Sequence, residues 1–311
     1  MKKYIIFTII FTLLSILTAK QVDITLSGDH NGIDLNNQQL ETLDFSAEIN
    51  ELHQLSLSTR SGDFSELIIP GFGKSGETGT PSLPVKRELI AVPLGAELSI
   101  EIADYQSIEY QLSDLGINDQ LMPAQPPVPK SIDPSELEFI YDQNAYEQDK
   151  WYGNDIFTCE EVGILRGQRI FTVTYHPIAY NPVQQKIIIY NNVNTTVNFV
   201  GSDLTATLEL RTKTWSPAYE KVYSSSLINY TPLQTREDIT RYPIKYVIIS
   251  DDMFTAQLQP FIDWKTQQGY NVIETCTSEI GGSTTAIANY RKPLGRSNPR
   301  RSSTFIHTLC G

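Results

Sequence analysis

Apolar and polar positions alternate in short bursts from about residue 21 to 120. Leu55 and Leu57 are separated by a polar residue, and Leu98-Ser99-Ile100-Glu101-Ile102 alternates without a break. That period of two is the mark of a strand with one wet face. Turn-forming clusters divide the bursts: Asp29-His30-Asn31-Gly32, Ser61-Gly62-Asp63 and Pro70-Gly71-Phe72-Gly73. No segment here sustains a helical period between caps. Short strands with turn signals roughly every ten residues predict an antiparallel sandwich or barrel. Further on, Arg169–Tyr175 predicts a strand. Lys186–Tyr190 and Val193–Val200 predict two more, with Asn191-Asn192 turning the chain between them as a hairpin. This β block closes near residue 210.

Two stretches break the pattern. Residues 122–136 read MPAQPPVPKSIDPSE, with five prolines in fifteen positions. Such a segment cannot enter a central strand and takes an extended, solvated path. It reads as a long surface loop, with an arm lying across a partner as the alternative. Residues 211–243 are polar and weakly patterned. They read as a connector between domains, partly packed through Trp215, Tyr219 and Tyr223.

After residue 243 the grammar changes. Lys245-Tyr246-Val247-Ile248-Ile249-Ser250 is nearly continuous in apolar residues, as a strand buried on both faces requires. Asp251 or Asp252 can cap a helix whose apolar face holds Phe254, Leu258, Phe261 and Ile262. Gly269 stands where that helix should end, and Tyr270–Thr275 predicts a second strand. Pro260 is expected to kink the helix or to start a new one. Ser278–Tyr290 predicts another helix. Together these form the opening unit of a parallel α/β sheet. The last stretch, from 291, holds five basic and no acidic residues and lacks any period. It reads as chain that has left its natural course after about Tyr290, as a frameshift would cause, or else as a disordered basic tail.

Composition narrows the function classes. The chain has 311 residues and a formal net charge of −12, which argues against a nucleic-acid partner, since phosphate binding needs clustered Lys and Arg. The start, MKKYIIFTIIFTLLSILTAK, has a basic n-region and a 14-residue apolar run ending in small residues. That is the pattern of a secretory signal peptide over 1–20, shorter than the about 20 apolar residues a membrane span needs. The expected location is therefore secreted or cell-surface, with no membrane association after signal removal. Three cysteines, Cys159, Cys276 and Cys310, leave an odd thiol and require no disulfide framework.

Little else in the sequence carries chemistry. Gly71-x-Gly73-x-x-Gly76 spells a dinucleotide fingerprint but follows a proline inside a β block and opens no helix. His30, His53 and His176 sit in turns or beside strands, and His307 and Cys310 lie in the unpatterned tail. Asp251-Asp252 is read as a helix cap. No cofactor, metal or catalytic residue is assigned.

Gly79-Thr80-Pro81-Ser82-Leu83-Pro84-Val85, running into Ala91-Val92-Pro93-Leu94-Gly95-Ala96 and followed later by Tyr180-Asn181-Pro182, resembles the propeptide of gingipain-type (family C25) cysteine peptidases. Tyr246-Val247-Ile248-Ile249, Phe261-Ile262-Asp263-Trp264-Lys265, Gly269-Tyr270-Asn271-Val272 and Thr277-Ser278-Glu279-Ile280 are similar to the start of that family's catalytic domain. The resemblance covers about 40–290. It implies a mainly β chain: an antiparallel β-sandwich propeptide over 21–210, a connector over 211–243, and a truncated α/β caspase-like segment over 244–290. The motif residues are Gly79, Pro81, Leu83, Pro84 and Val85. It implies a secreted zymogen whose propeptide keeps a cysteine endopeptidase latent and aids its folding. The partner is then a cognate or related peptidase catalytic domain. The Cys/His dyad lies beyond the region present, so this chain would not itself cleave. Maturation cleavage is expected in the connector after Asn229, Arg236 or Arg241. The alternative is an exported β-sandwich binding or adhesion module, with Trp151 and Tyr152 as its stacking platform.

Overall fold

The computed structural model describes residues 21–128, 137–153, 155–233, 245–296 and 304–308. The expected signal peptide and the two connector arginines, Arg236 and Arg241, lie outside them.

Twelve strands make the first part of the chain. They are β1 (Gln21–Thr25), β2 (Gly32–Gln38), β3 (Thr42–Glu48), β4 (Glu51–Thr59), β5 (Gly62–Ile68), β6 (Gly73–Ser75), β7 (Leu83–Val92) and β8 (Glu97–Gln111). After a short helix α1 (Gln143–Glu147) come β9 (Phe157–Leu165), β10 (Gln168–Tyr175), β11 (Ile178–Asn181) and β12 (Lys186–Val200). They form three antiparallel sheets, in the orders β1-β4-β5, β6-β7-β10-β9 and β11-β12-β3-β2, with β8 lying along β12. The alternation in the sequence explains the layering. In β3 every second residue is buried, and Leu43, Phe45 and Ala47 are closed to solvent while their neighbours are half-buried. One hydrophobic core joins the three sheets through such residues as Phe45, Leu52, Leu67, Ile90 and Tyr175. Tyr175 is fully buried, stacks on Phe157 with ring centroids 5.4 Å apart, and donates its hydroxyl to the Tyr190 carbonyl at 2.6 Å. A buried tyrosine hydroxyl needs such a partner.

The predicted hairpin at Asn191-Asn192 is corrected. Residues 186–200 are one strand, and the register against β8 shifts between Asn191 and Thr195. The two asparagines form this irregularity instead of a turn. Asn191 is buried and bonds the Ile49 backbone twice, accepting from its N–H at 2.8 Å and donating to its carbonyl at 2.9 Å. Asn192 takes a left-handed φ of 49°, a conformation asparagine tolerates.

Helices α2 (Leu204–Thr214) and α3 (Pro217–Ser226) follow, so α2 runs straight across the expected boundary at 210. Asp203 caps α2 by accepting from Ala206 N–H at 2.8 Å. The helix buries no residue, so it leaves no apolar period in the sequence. In α3, Ser216 precedes a proline at the first position, and Tyr219 and Tyr223 are buried one turn apart.

The α/β unit contains β13 (Lys245–Ser250), α4 (Thr255–Gln267), β14 (Asn271–Cys276), α5 (Thr277–Ile280), α6 (Thr284–Arg296) and β15 (Thr304–Thr308). Its three strands are parallel, in the order β14-β13-β15. Asp251 accepts from Met253 N–H at 3.0 Å and so caps the 3-10 turn Asp252–Phe254 that leads into α4, whose own first turn has no side-chain cap. Pro260 sits inside α4, which neither stops nor restarts there. The predicted final helix is two helices, divided at Gly281, whose φ is 90°. The reading of the tail as unpatterned is corrected for Thr304–Thr308. This run of β-favouring residues pairs with β13, Phe305 opposite Tyr246.

Candidate functional site at the connector junction

The motif residues Gly79–Val85 form the entry to β7. Leu83, Pro84, Val85 and Pro81 are all buried. The first part of the proline-rich segment lies against them. Gly79 N–H donates to the Ala124 carbonyl at 2.8 Å, Ala124 N–H to Thr80 at 2.8 Å, and Ser82 N–H to Met122 at 2.9 Å. Pro81 faces Pro123 within this short ladder. Prolines are tolerated there because this is an edge. Gly79 has a φ of 89°, and a Cβ on it would come within 3.1 Å of the Asp142 nitrogen, whose N–H donates to the Gly79 carbonyl. Glycine alone meets both demands.

The end of the connector is stitched into the sandwich. β6 covers β7 only at Leu83–Val85, which leaves the far half of that edge open. Residues 227–229 fill it. Leu227 bridges Leu89 in parallel, and Ile228 N–H donates to the Leu89 carbonyl at 2.9 Å. Asn229, one of the expected cleavage positions, is buried. Its side-chain amide accepts from Ala91 N–H at 2.7 Å and donates to the Ala91 carbonyl at 2.8 Å, completing the ladder as a strand residue would. Gln38 donates to the Asn229 carbonyl at 2.9 Å. Beside it lies a groove of about 470 Å³, walled by Leu40, Phe199, Leu208, Arg211 and Tyr230.

Arg166 organises the other side of the junction. Arg166-Gly167 is the two-residue turn between β9 and β10, with φ of 43° and 88°. Positive φ at both positions is what a type I′ hairpin turn requires. The guanidinium donates from Nε to the Thr214 carbonyl at 2.7 Å, at the C-terminal end of α2. A cation is favoured at that end of a helix. The same group lies 5.3 Å from the Tyr219 ring centroid. Tyr223 donates its hydroxyl to the Leu165 carbonyl at 2.8 Å, and burial pushes the Tyr219 hydroxyl up to about 12, against the pull of Arg166. Tyr270, between α4 and β14, packs against this cluster of Ile170, Tyr219, Tyr223 and Leu227. Sequence reading found Tyr219 and Tyr223 but missed Arg166. The available signal was the glycine after it, between two β runs.

The thiols and imidazoles stay apart in role. Cys159 and Cys276 are both free. Burial pushes the thiol of half-buried Cys159 up to about 12, which disfavours the thiolate a nucleophile needs. Cys276 Sγ lies 3.7 Å from the Thr255 hydroxyl. His30 pairs with Asp34 and Glu48, and His53 with Asp23 and Glu51. His176 lines a polar pocket and contacts the Thr158 hydroxyl at 3.3 Å. Trp151 and Tyr152 pack against the core, and the Tyr152 hydroxyl donates to Ala145 at 2.9 Å, so neither forms an open platform.

A β-sandwich closed by its own connector, with an α/β unit following it, sets the frame for comparison with known proteins. The family description Propeptide_C25 matches residues 24–236, and the chain belongs to that family of gingipain propeptides. Lys-gingipain of Porphyromonas gingivalis is 31% identical over 273 residues, covering 87% of this chain and 16% of its own length. Gingipain R2 of the same species is 25% identical over 217 residues, 68% of this chain and 28% of that protein. The chain thus spans a small part of the relatives it matches. Among solved structures, one described as giving insight into the zymogenic latency of gingipain K superposes with a TM-score of 0.54 at 32% identity, covering 59% of this chain and all of that one. A complex of the RgpB pro- and mature domains gives a TM-score of 0.52 at 22% identity, over 64% of this chain and 98% of that one, and supports the fold.

Proposed function

We propose that residues 21–233 are the latency and folding domain of a secreted cysteine endopeptidase precursor, and that 245–308 belong to the start of its peptidase domain. The carrying observation is the family match over 24–236 on a sandwich whose own connector completes it. The proposed partner is the cognate catalytic domain, or that of a related peptidase. Export by residues 1–20 completes the reading. Of the two thiols among the described residues, neither is assigned as a nucleophile: burial pushes the Cys159 thiol up, and Cys276 sits beside Thr255 at a strand end. Maturation is assigned to the bonds after Arg236 or Arg241. A bond after Asn229 suits a protease poorly, because that residue is buried and held at both faces of its amide.

The test is inhibition in trans. Purified 21–240, mixed with a related active gingipain-type peptidase, is expected to suppress peptide hydrolysis at micromolar concentration. Full activity in its presence overturns the proposal. The adhesion reading loses its stacking pair, since Trp151 and Tyr152 are committed to the core.

A further inference from the structure

We propose that Arg166 is the latch holding the propeptide to the peptidase unit: one guanidinium at a hairpin tip fixes Tyr219 of the connector, and Tyr270 of the α/β unit packs on the cluster that contains Tyr219. The inference rests on the division into propeptide and peptidase unit made above. It adds which side chains join the two once the connector is cut.

The argument begins with Tyr270. Its ring has a cation of its own unit on it: Lys265 Nζ lies 5.2 Å from its centroid, and at 5.3, 5.6 and 4.2 Å from those of Tyr246, Phe261 and Trp264. Four rings around one ammonium fix the end of α4 and the turn after it, with Tyr246 and Tyr270 edge-to-face at 5.5 Å. Tyr270 is thereby presented as a preset ring and not as a loose side chain. It packs on the cluster of Ile170, Tyr219, Tyr223 and Leu227, which belongs wholly to the sandwich and connector. Arg166 holds Tyr219 of that cluster from 5.3 Å, and its charge is felt most at Tyr219, then at Tyr223, and least at Tyr270. A run of packed rings held by three cations results. Lys265 and Tyr270 belong to the α/β unit. Arg166, Tyr219, Tyr223 and Tyr230 belong to the propeptide, with Arg211 closing the run 4.8 Å from the Tyr230 centroid.

Arginine suits this position. Its planar, permanently charged guanidinium can stack on rings while its Nε donates to a carbonyl, here that of Thr214. Its backbone conformation is the other half of the case. A φ of 43° is uncommon for arginine, and asparagine is the residue that turn favours. Placing the cation there runs against local preference, as expected where the side chain has a task. None of the run lies in 234–244, so cutting there leaves it whole.

The test uses the full mature chain carrying an N-terminal tag, nicked by brief treatment with an arginine-specific protease and then captured by the tag. Wild type is expected to retain the C-terminal piece through washing. Arg166→Asn keeps the turn geometry while removing the cation, and Tyr270→Ser removes the ring from the other side. Each is expected to lower the retained piece at least tenfold, whereas Tyr270→Phe keeps it. An unchanged melting temperature of the sandwich in Arg166→Asn shows that the hairpin still folds. Loss of the piece from nicked wild type, or full retention in both disruptive variants, overturns the latch. Neither result depends on inhibition in trans: a propeptide that fails to inhibit can still retain its piece, and one that inhibits can do so without Arg166.

Discussion

The sandwich and the α/β unit that follows it are built from the same chain but close their cores differently. The sandwich buries an extended apolar cluster, in which Leu43, Leu52, Val173, Tyr175 and Tyr180 are all shut off from water. The α/β unit has Val247, Ile249 and Ile287 as its buried cluster, with Ile273, Ile280 and Tyr290 partly exposed around it. Apolar burial is the main favourable term in folding, and small units gain least from it. The comparison teaches that, among the described residues, the sandwich buries the far larger core, whereas the α/β unit also packs Tyr270 on the sandwich and connector cluster.

The sharpest way to break this contrast is at Tyr175. Tyr175→Ala empties a fully buried site and strands the Tyr190 carbonyl, and a loss of about 3–5 kcal/mol is expected. Denaturant unfolding of the chain from residue 21 onward measures it. Val247→Ala should leave the main transition where it was and raise hydrogen exchange only in residues 245–308. A shared shift in both would show that the two regions fold as one.

Next in size is Asn229→Ala. It leaves both the N–H and the carbonyl of Ala91 without their partners, at a cost of about 2–4 kcal/mol. Faster proteolysis of the segment after 226 should accompany the fall in stability. Asn229→Asp should recover only the bond that accepts from the Ala91 N–H.

Gly79→Ala follows. The added methyl strains the left-handed backbone and presses on Asp142, costing about 1–3 kcal/mol. Thermal melting reads it, and Gly62→Ala offers a comparison, since its φ of 124° is also positive while no atom stands within 4 Å of the new methyl. A larger loss at Gly79 separates crowding from backbone strain.

The smallest effect is in pH. Burial, aided by Arg87, holds the His176 imidazole below its ordinary value, against the upward pull of Asp155 and Glu160. Its folded pKa is lower than its unfolded one, so the neutral form is the one that the fold favours. That contribution is complete above the unfolded value of about 6.5 and is lost as pH falls toward the folded one. The sandwich should weaken between neutral pH and mild acid, and His176→Gln should flatten that slope.

Much of this molecule was legible in its sequence where burial is periodic. Leu98–Ile102 lies within β8, and Lys245–Ser250 is β13 residue for residue. What escaped reading is held by polar contacts. Helix α2 buries nothing and depends on Asp203 and Thr207, which tie it to Leu94. The Asn191-Asn192 pair spells a turn, but Ile49, some 140 residues away, takes up its amide and keeps the strand going. Arg166 escaped for the same reason: its partners, Thr214 and Tyr219, are distant in sequence, and only the glycine beside it marks the place.

The stitching of residues 227–229 onto β7 has a consequence for synthesis. A growing chain emerges N-terminus first, and β7 waits with half an edge open until Asn229 arrives, close to 140 residues later. β13 begins only at Lys245, so every residue that completes this sheet edge precedes the α/β unit in the chain, and the edge can close without it.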